Sequence, residues 1–360
     1  MKVLFLYTEL ADYTLSCLKA LKNNGHDIKV IHYPVNPEAP FKFIFDNIGV
    51  FNCILDYKTF RQLRDDVKIF SPDIIICSGW LNKNYLRICY EYRRKSTCVL
   101  TMDNHWDGTF KQKILSYFSK ITIQKIFKFC WIPGDAQLEY AIKLGFNTSN
   151  IKRGFYSCDF LKFNSIYHGR LQKISSEFPK VFLCVARYVP QKNYEMLWSA
   201  FIKWQERMPS EWELWCAGTG PDWDQRVIHP KIKHLGFIQP DNFQEILFKS
   251  GVFVLASSSE PWGVVVHEFA ASGFPLVLST EIGAAAQFTN GKNGLLFEPN
   301  DVEQLICSFD LINSLTNSQL IQMGIESNDI AQGITPEIWA ETISLMGNMP
   351  VERPMFVGEI

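Results

Sequence analysis

The chain has 360 residues, of which 47% are hydrophobic and 20% charged, so we expect a well-buried protein of two domains and exclude a disordered chain. None of its ten cysteines stands in a C-x-x-C pair, which argues against a structural zinc site and favours reduced thiols in the cytoplasm. Glu9 interrupts the first apolar run, which predicts a strand rather than a signal peptide, and no apolar run is long enough to span a bilayer.

The charge is unevenly distributed. Residues 1–165 carry 23 Lys and Arg against 15 Asp and Glu, a net charge of +8, and the rest of the chain carries −9. This asymmetry predicts two domains with different partners. The basic half suits an anionic membrane surface or a phosphorylated acceptor, and ordinary surface charge is the alternative.

Apolar and β-branched runs alternate with helical spacing in the first half. Strands are predicted over residues 2–7, 28–32, 73–77 and 98–102. A helix over residues 13–23 separates the first two strands, and Gly25 follows it. This alternation is typical of a doubly wound parallel α/β sheet.

The same pattern restarts after a polar stretch, residues 162–180, which we interpret as a linker. Further strands are predicted over residues 181–186, 211–217, 232–235, 252–256 and 275–279, with helices over 194–206 and 242–249. The sequence therefore predicts two Rossmann-like domains, residues 1–165 and 166–335. Residues 336–360 form a last helix and tail, and this helix can cross back onto the first domain.

The segment EPWGVVVHE, residues 260–268, directly follows the predicted strand VFVLA and the turn SSS. Trp262, Gly263 and Val264 would open a helix whose free N–H groups suit a diphosphate. Glu260 and Glu268 are eight positions apart, and carboxylates accept hydrogen bonds from pairs of sugar hydroxyls. A capping Glu and a solvated Glu on an ordinary helix are the alternative.

Three further segments complete the pattern, and the first two of them directly follow predicted strands. Arg187 and Lys192, in VARYVPQKNY, could neutralise a diphosphate leaving group. Gly218, in AGTGP, lets the backbone approach a ligand or a neighbouring strand. Residues 291–301, GKNGLLFEPND, form a turn-rich stretch before a helix.

Together these four segments resemble the C-terminal domain of glycosyltransferase family 4, the group 1 type, over about residues 180–310. The resemblance implies a retaining hexosyltransferase of the GT-B fold, with two Rossmann-like domains facing a central cleft. The first domain would bind the acceptor and the second the nucleotide-sugar donor. The chain departs from the family pattern at Asn193, where Gly is frequent, and at Gln287, where an acidic residue is usual. We interpret His267 as a packing or surface residue.

The resemblance also implies a role for each matched residue. Arg187 and Lys192 would hold the diphosphate, Glu260 would contact the transferred sugar, and Glu268 the ribose. The amides of residues 262–264 and the neighbouring Gly218 would complete the donor site.

The first half has weaker signals at two predicted strand ends. SGWLNKN contains Trp80, and DNHWDGT contains Asp103, His105, Trp106 and Asp107. His105 is a candidate for the histidine that the family places near the donor sugar, or an ordinary loop histidine. Asp103, Trp80 and Trp106 are candidate acceptor contacts.

Residues 111–129, KQKILSYFSKITIQKIFKF, have helical spacing and five lysines. An interfacial helix on an anionic membrane is one interpretation, and a core helix with a basic outer face is the other. Asp222 and Asp224 have the D-x-D spacing of metal sites in a different glycosyltransferase fold, but their position favours a helix cap.

The resulting hypothesis is a cytoplasmic enzyme that builds surface polysaccharide or lipopolysaccharide. The inner face of the cell membrane is the alternative location. It would move a hexose-type sugar from a nucleotide sugar, with UDP-sugar favoured, to a glycan or lipid-linked acceptor. We expect no cofactor, no essential metal and no nucleic-acid partner. The alternatives are a non-catalytic nucleotide-sugar-binding subunit and a GT-B epimerase or phosphorylase.

Overall fold

The structure is a computed structural model that describes residues 1–34, 45, 47–174, 177–239 and 243–349. The chain divides into two units. The first unit contains Met1–Ser157 together with the C-terminal residues from Pro336, and the second contains Cys158–Thr335. The predicted tail beyond residue 349 lies outside the described residues.

The first unit is built on a parallel sheet of seven strands. They are β1 (Lys2–Tyr7), β2 (Asp27–His32), β3 (Val50–Cys53), β4 (Ile74–Ser78), β5 (Thr97–Thr101), β6 (Phe129–Trp131) and β7 (Ile151–Lys152). The strand order is β3-β2-β1-β4-β5-β6-β7, and it reverses between β1 and β4. Ligands of open parallel sheets bind outside the carboxyl ends of the strands at such a reversal.

Five helices are described between the strands of this unit. They are α1 (Asp12–Asn23), α2 (Phe60–Phe70), α3 (Lys83–Tyr92), α4 (Phe110–Phe118) and α5 (Leu138–Lys143). Local sequence sets their starts, because Thr59 accepts a hydrogen bond from the Gln62 N–H at α2 and Asn82 caps α3.

The second unit is built on a parallel sheet of six strands. They are β8 (Val181–Val185), β9 (Glu213–Ala217), β10 (Ile232–Gly236), β11 (Val252–Leu255), β12 (Leu276–Ser279) and β13 (Gly294–Phe297). The strand order is β10-β9-β8-β11-β12-β13, with the reversal between β8 and β11. The prediction of two Rossmann-like domains is therefore confirmed.

Seven helices are described in the second unit. They are α6 (Phe160–Ile174), α7 (Tyr194–Arg207), α8 (Phe243–Phe248), α9 (Val264–Ala271), α10 (Ala285–Phe288), α11 (Val302–Ser314) and α12 (Asn317–Ala331). Asn242, the first residue of one predicted helix, lies outside the described residues.

The stretch interpreted as a linker is largely helical. Residues 162–174 belong to α6, in which Phe160, Phe163 and Ile166 are buried. Their spacing of three places them on one helical face, so α6 packs onto the second unit. The structure accordingly divides the chain between Ser157 and Cys158, before this helix, whereas the sequence predicted a boundary at residue 165.

The single long helix predicted over residues 111–129 is wrong. Helix α4 ends at Phe118, two short 3₁₀ turns follow, and β6 begins at Phe129. Ile123 and Phe127 are buried in the core of the first unit. Because these two side chains are buried, the chain leaves the surface after α4 and returns to the sheet at β6.

The last helix, α13 (Pro336–Asn348), returns to the first unit as predicted. It packs against α1, and the Trp339 indole N–H donates to the Phe155 carbonyl at 2.8 Å. His26 Nε2 lies 2.9 Å from the Ser344 hydroxyl. Among the described residues, no helix combines the length and hydrophobicity needed to cross a bilayer.

Candidate functional site

The candidate site of the second unit lies where its strand order reverses. β8 and β11 are neighbours in the sheet, and their carboxyl ends lead to Lys192 and to Glu260. The two side chains form an ion pair. They are only 17% and 16% exposed, so the structure brings together two residues that the sequence had assigned to one donor site.

The ammonium group of Lys192 loses its proton more readily than that of an ordinary lysine. Burial lowers the pKa of its ammonium group to about 8, and the nearby Arg187 guanidinium acts in the same direction. The Glu260 carboxylate favours the charged form, because opposite charges in contact stabilise each other. The ammonium is therefore the form present at neutral pH, but it is poised to lose its proton in mild alkali.

Arg187 lies on an exposed loop that is fixed by the AGTGP segment. The Ala186 N–H donates to Ala217 at 3.1 Å and the Tyr188 N–H donates to Thr219 at 3.0 Å. A Cβ atom on Gly218 would lie 2.0 Å from the Ala186 carbonyl oxygen. Gly218 therefore allows close approach of the backbone at the end of the neighbouring strand β8.

The turn from Glu260 into α9 depends on Gly263. Its φ is +90°, and an added Cβ would approach Glu260 Cγ and Ile282 Cγ2 to 3.2 Å. Such a φ favours glycine over residues with a side chain. The helix opens directly afterwards at Val264, and the first N–H groups of a helix have no partner within it. This end of α9 therefore offers donors to an anion beside the ion pair.

Trp262 contributes to the site through its backbone and its packing. Its side chain is buried and meets the Phe288 ring at a centroid distance of 6.3 Å. Its carbonyl accepts a hydrogen bond from the Ala284 N–H at 2.9 Å. The indole thus anchors the loop that carries Glu260 and Gly263.

The segment after β12, EIGAAAQ, also supports Glu260. The Glu260 N–H donates to the Glu281 carbonyl at 3.1 Å, and the Gly283 N–H donates to the Glu260 carbonyl at 3.0 Å. Gln287 is exposed on α10. This departure from the family pattern therefore leaves the support of the Glu260 backbone intact.

Glu268 lies on α9, partly exposed, one residue after the buried His267. His267 Nδ1 accepts from the Cys158 N–H at 3.1 Å, and its Nε2 lies 3.2 Å from the Ala331 carbonyl. Burial lowers the pKa of His267 to about 4. A neutral imidazole with the proton on Nε2 fits both contacts, so His267 is a packing residue as interpreted.

Asn193 explains the other departure from the family pattern. Its φ is +54°, in the left-handed region that Gly and Asn tolerate best. Its side-chain amide donates to the Pro299 carbonyl at 2.7 Å. Asn193 thus supplies the conformation that glycine would supply, and it ties the Lys192 turn to the segment after β13.

A cavity of about 250 Å³ lies at the corresponding reversal in the first unit. Its walls include the ends of β1 and β4, where the hydroxyls of Thr8 and Ser78 lie 3.0 Å apart. Asp103 also lines this cavity and accepts a hydrogen bond from the Tyr156 hydroxyl at 3.0 Å. Asp103 was predicted from the sequence, as was the segment that begins at Ser78, whereas Thr8 and Tyr156 were not. The position of Thr8 directly after β1 is the signal that could have indicated it.

The side chains of the two candidate acceptor tryptophans are not part of the cavity lining. Trp80 and Trp106 both pack against Tyr140, with ring centroids 6.0 and 5.5 Å apart. Neither indole is among the residues that line the cavity. His105 is partly exposed on the loop after β5, and its carbonyl accepts from the Gln112 side chain at 2.7 Å.

The D-x-D segment forms a short 3₁₀ turn, Pro221–Gln225. Trp223 at its centre meets the Tyr188 ring at 4.9 Å, and Asp224 lies 3.8 Å from the Arg226 guanidinium. Across the part of the chain that the structure describes, no three His, Cys, Asp or Glu side chains converge as metal ligands would.

Residues 170–323 match the family model of glycosyl transferases, group 1. The mannosylfructose-phosphate synthase of Agrobacterium fabrum is 28% identical over 141 residues, which cover 35% of this chain and 31% of that protein. The lipopolysaccharide core biosynthesis glycosyltransferase LpsE of Rhizobium meliloti is 29% identical over 157 residues, covering 41% and 44%. The chain therefore spans less than half the length of these curated relatives. The predicted family resemblance is confirmed.

Solved structures resemble the chain over nearly its whole length. The Anabaena protein HepE, in complex with UDP and glucose, has a TM-score of 0.72 at 17% identity, covering 96% of this chain and 98% of that one. The sucrose-phosphate synthase of Thermosynechococcus elongatus has a TM-score of 0.69 at 16% identity, covering 96% and 98%. At these identities the likeness concerns the fold, and the predicted GT-B class is confirmed.

Proposed function

We propose that this chain, whose residues 170–323 match the group 1 glycosyl transferases, is a retaining hexosyltransferase. It moves a sugar from a nucleoside diphosphate, with UDP favoured, to a glycan or lipid-linked saccharide acceptor. The observation that carries the proposal is the Lys192–Glu260 ion pair at the strand reversal of the second unit. The Lys192 ammonium suits the anionic diphosphate of a nucleotide sugar, and the Glu260 carboxylate suits the hydroxyls of its sugar.

The donor contacts follow from charge and position. Lys192 and Arg187 bind the diphosphate, which carries two negative charges. The N–H groups that open α9 at Gly263 and Val264 bind a phosphate or sugar oxygen. Glu260 then accepts hydrogen bonds from hydroxyls of the transferred sugar, and Glu268 accepts from the ribose.

The transfer step needs charge stabilisation more than a strong base. The bond between the anomeric carbon and the diphosphate oxygen breaks, and the acceptor oxygen bonds to the same face of that carbon. The acceptor proton passes to the departing phosphate oxygen. Lys192 and Arg187 stabilise the negative charge that grows on this phosphate. His105 donates a hydrogen bond to a hydroxyl of the donor sugar in this proposal.

The acceptor site proposed here is the cavity of the first unit. Asp103 and Glu9 supply carboxylates, Thr8 and Ser78 supply hydroxyls, and Tyr156 supplies an aromatic wall. Such a lining suits a saccharide, because hydroxyls need acceptors and sugar faces pack on aromatic rings. Trp80 and Trp106, whose side chains lie outside the cavity lining, stay separate candidate acceptor contacts.

Two likenesses support the finer parts of the proposal. HepE has been crystallised with UDP and glucose, which favours a UDP-sugar as donor. LpsE takes its name from lipopolysaccharide core biosynthesis, which favours a surface glycan as product. A cytoplasmic location, at or near the membrane where such acceptors lie, follows from this assignment. No metal or cofactor has a role in the proposed step, because cationic side chains and amides stabilise the leaving group.

The test uses purified full-length protein with UDP-glucose and other nucleotide sugars. Binding is measured by calorimetry and turnover by release of the nucleoside diphosphate. We expect Lys192→Ala and Glu260→Ala to lower turnover at least 100-fold, as loss of a group that stabilises transition-state charge does. Lys192→Ala should also weaken nucleotide binding.

Lys180 and Glu211 offer a matched control. They form an exposed ion pair at 2.6 Å at the opposite, amino end of the same sheet. Lys180→Ala and Glu211→Ala should leave binding and turnover unchanged. Absence of any nucleotide-sugar binding by the wild type would reject the proposal. Binding without turnover on any acceptor would instead indicate a binding subunit, and sugar conversion without an acceptor would indicate an epimerase.

A further inference from the structure

Residues 110–121 of the first unit expose an unusual amount of apolar side chain; we call them the lysine-flanked segment. The exposed fractions are 79% for Phe110, 44% for Ile114, 79% for Tyr117, 47% for Phe118 and 59% for Ile121. Side chains spaced by three and four residues share one face of a helix. The segment therefore presents an apolar stripe to solvent rather than to the core.

The opposite side of α4 attaches the segment to the protein. Leu115 packs against the core of the first unit, and Thr109 caps the helix by accepting from the Gln112 N–H. Gln112 also accepts from the Asp107 N–H at 2.8 Å. The exposed stripe is thus held on a fixed helix, which argues against a frayed end.

The charged side chains of the segment around the apolar stripe are all positive. Lys111, Lys113, Lys120 and Lys125 are exposed, and no Asp or Glu occurs in the sequence between Asp107 and Asp135. A protein partner of matching charge would need a concentrated acidic patch beside an apolar groove. A bilayer with anionic lipids supplies negative charge on every side of an apolar interior, without a fixed register.

We propose that the lysine-flanked segment docks the first unit on the surface of an anionic bilayer. Phe110, Tyr117 and Ile121 enter the interface, where aromatic rings are favoured, and the lysine side chains extend to the phosphate groups. The segment begins directly after the loop of Asp103 and His105, at the carboxyl end of β5. Docking would therefore place this loop close to the membrane surface, where a lipid-linked saccharide lies if the proposed function holds.

Lipid binding is independent of catalysis, so the test measures flotation of the full-length protein with vesicles. Vesicles of phosphatidylcholine alone are compared with vesicles that contain ~30% phosphatidylglycerol, at low and high salt. We expect binding to the anionic vesicles that salt weakens. Lys113→Glu with Lys120→Glu, and separately Tyr117→Ser with Ile121→Ser, should each reduce the bound fraction at least tenfold.

Two matched pairs on the same unit serve as controls. Lys68→Glu with Lys95→Glu makes the same change of net charge at exposed positions, and Leu55→Ser with Ile69→Ser removes other exposed apolar side chains. Both should bind as the wild type does. Absence of wild-type binding, or full binding by either segment variant, would overturn the proposal. Thermal unfolding of the same samples reports folding, and UDP binding, measured separately, distinguishes this outcome from failure of the proposed transferase function.

Discussion

Lys192 and Glu260 are 68 positions apart in sequence and form an ion pair between the carboxyl ends of β8 and β11. Each side chain neutralises the other in a partly buried setting before any ligand is present. In the proposed function, a bound diphosphate would take over the partner role for Lys192 and release Glu260 for sugar hydroxyls. The ion pair therefore holds both side chains in position at the carboxyl ends of the two strands.

Removal of one partner should destabilise the protein more than removal of both. We expect Lys192→Met or Glu260→Gln to lower the free energy of unfolding by about 1–3 kcal/mol, because each leaves a poorly solvated polar group unpaired. The double variant should lose less than the sum of the two. Urea unfolding followed by tryptophan fluorescence measures all four proteins. Strict additivity would mean that the pair contributes no coupling energy.

Donor binding should weaken as the pH rises. Burial lowers the pKa of Lys192 to about 8, so its charge is present below that pH and is lost above it. A bound diphosphate favours the ammonium, so the Kd for UDP-glucose should rise about tenfold between pH 7 and pH 9. Lys192→Arg should flatten this dependence, since Arg stays protonated. An equal rise in both proteins would assign the effect to another group.

Gly218→Ala should disturb the donor site through the Ala186 carbonyl, which lies 2.0 Å from the position of an added Cβ. We expect a loss of about 3 kcal/mol in stability and weaker nucleotide binding, because the overlap displaces the loop that carries Arg187. Gly236→Ala is the control, since its φ is +69° and no atom lies within 4 Å of an added Cβ. That variant should lose only about 1 kcal/mol and should bind nucleotide normally.

Arg170 should be one of the most sensitive residues of the second unit. Its buried guanidinium donates to the carbonyls of Leu247, Ser250, Ser272 and Gly273 at 2.8–3.0 Å. Arg170→Met leaves these buried acceptors without a donor, which should cost about 3–5 kcal/mol in thermal or urea unfolding. Arg207→Met, which removes an exposed ion pair with Glu303, should change stability by less than ~1 kcal/mol. Similar losses in the two variants would contradict this account.

His267 should make the free energy of unfolding depend on pH. Its pKa is lowered to about 4 in the folded protein and is about 6.5 when unfolded. The unfolded state therefore binds more protons between these values, so stability is full above pH 6.5 and falls as the pH drops towards 4. The expected loss is on the order of 3 kcal/mol. His267→Gln should remove this slope, whereas the exposed His168→Gln should keep it, as denaturant midpoints at pH 4–7 would reveal.

Several elements could be predicted from sequence because their signals are local. The strand over Lys2–Tyr7 and the helix starting at Tyr194 agree with the structure, since continuous apolar runs and helical spacing act over a few residues. The segment after Lys111 was mispredicted for the same reason. Its spacing remains helical, but burial of Ile123 and Phe127 ends the helix.

The cavity of the first unit could not be predicted. Its residues come from the ends of β1 and β4, from the loop of Asp103 and from Tyr156. These positions are far apart in sequence and meet only because β4 lies beside β1 in the sheet. Trp80 follows β4 and Trp106 follows β5, yet both side chains pack against Tyr140 because burial stabilises large apolar rings.

By itself, the sequence determined the two α/β halves and placed Glu260, Arg187 and Lys192 directly after strands, because apolar periodicity and motif spacing are properties of the chain. Only the tertiary structure decided that Lys192 meets Glu260, that Gly218 supports the Arg187 loop, and that α13 returns to the first unit. Those relationships depend on strand order and side-chain burial, which join residues distant in sequence. Glu260, at the start of the segment that ends at Glu268, therefore meets Lys192 because β11 lies beside β8 in the sheet.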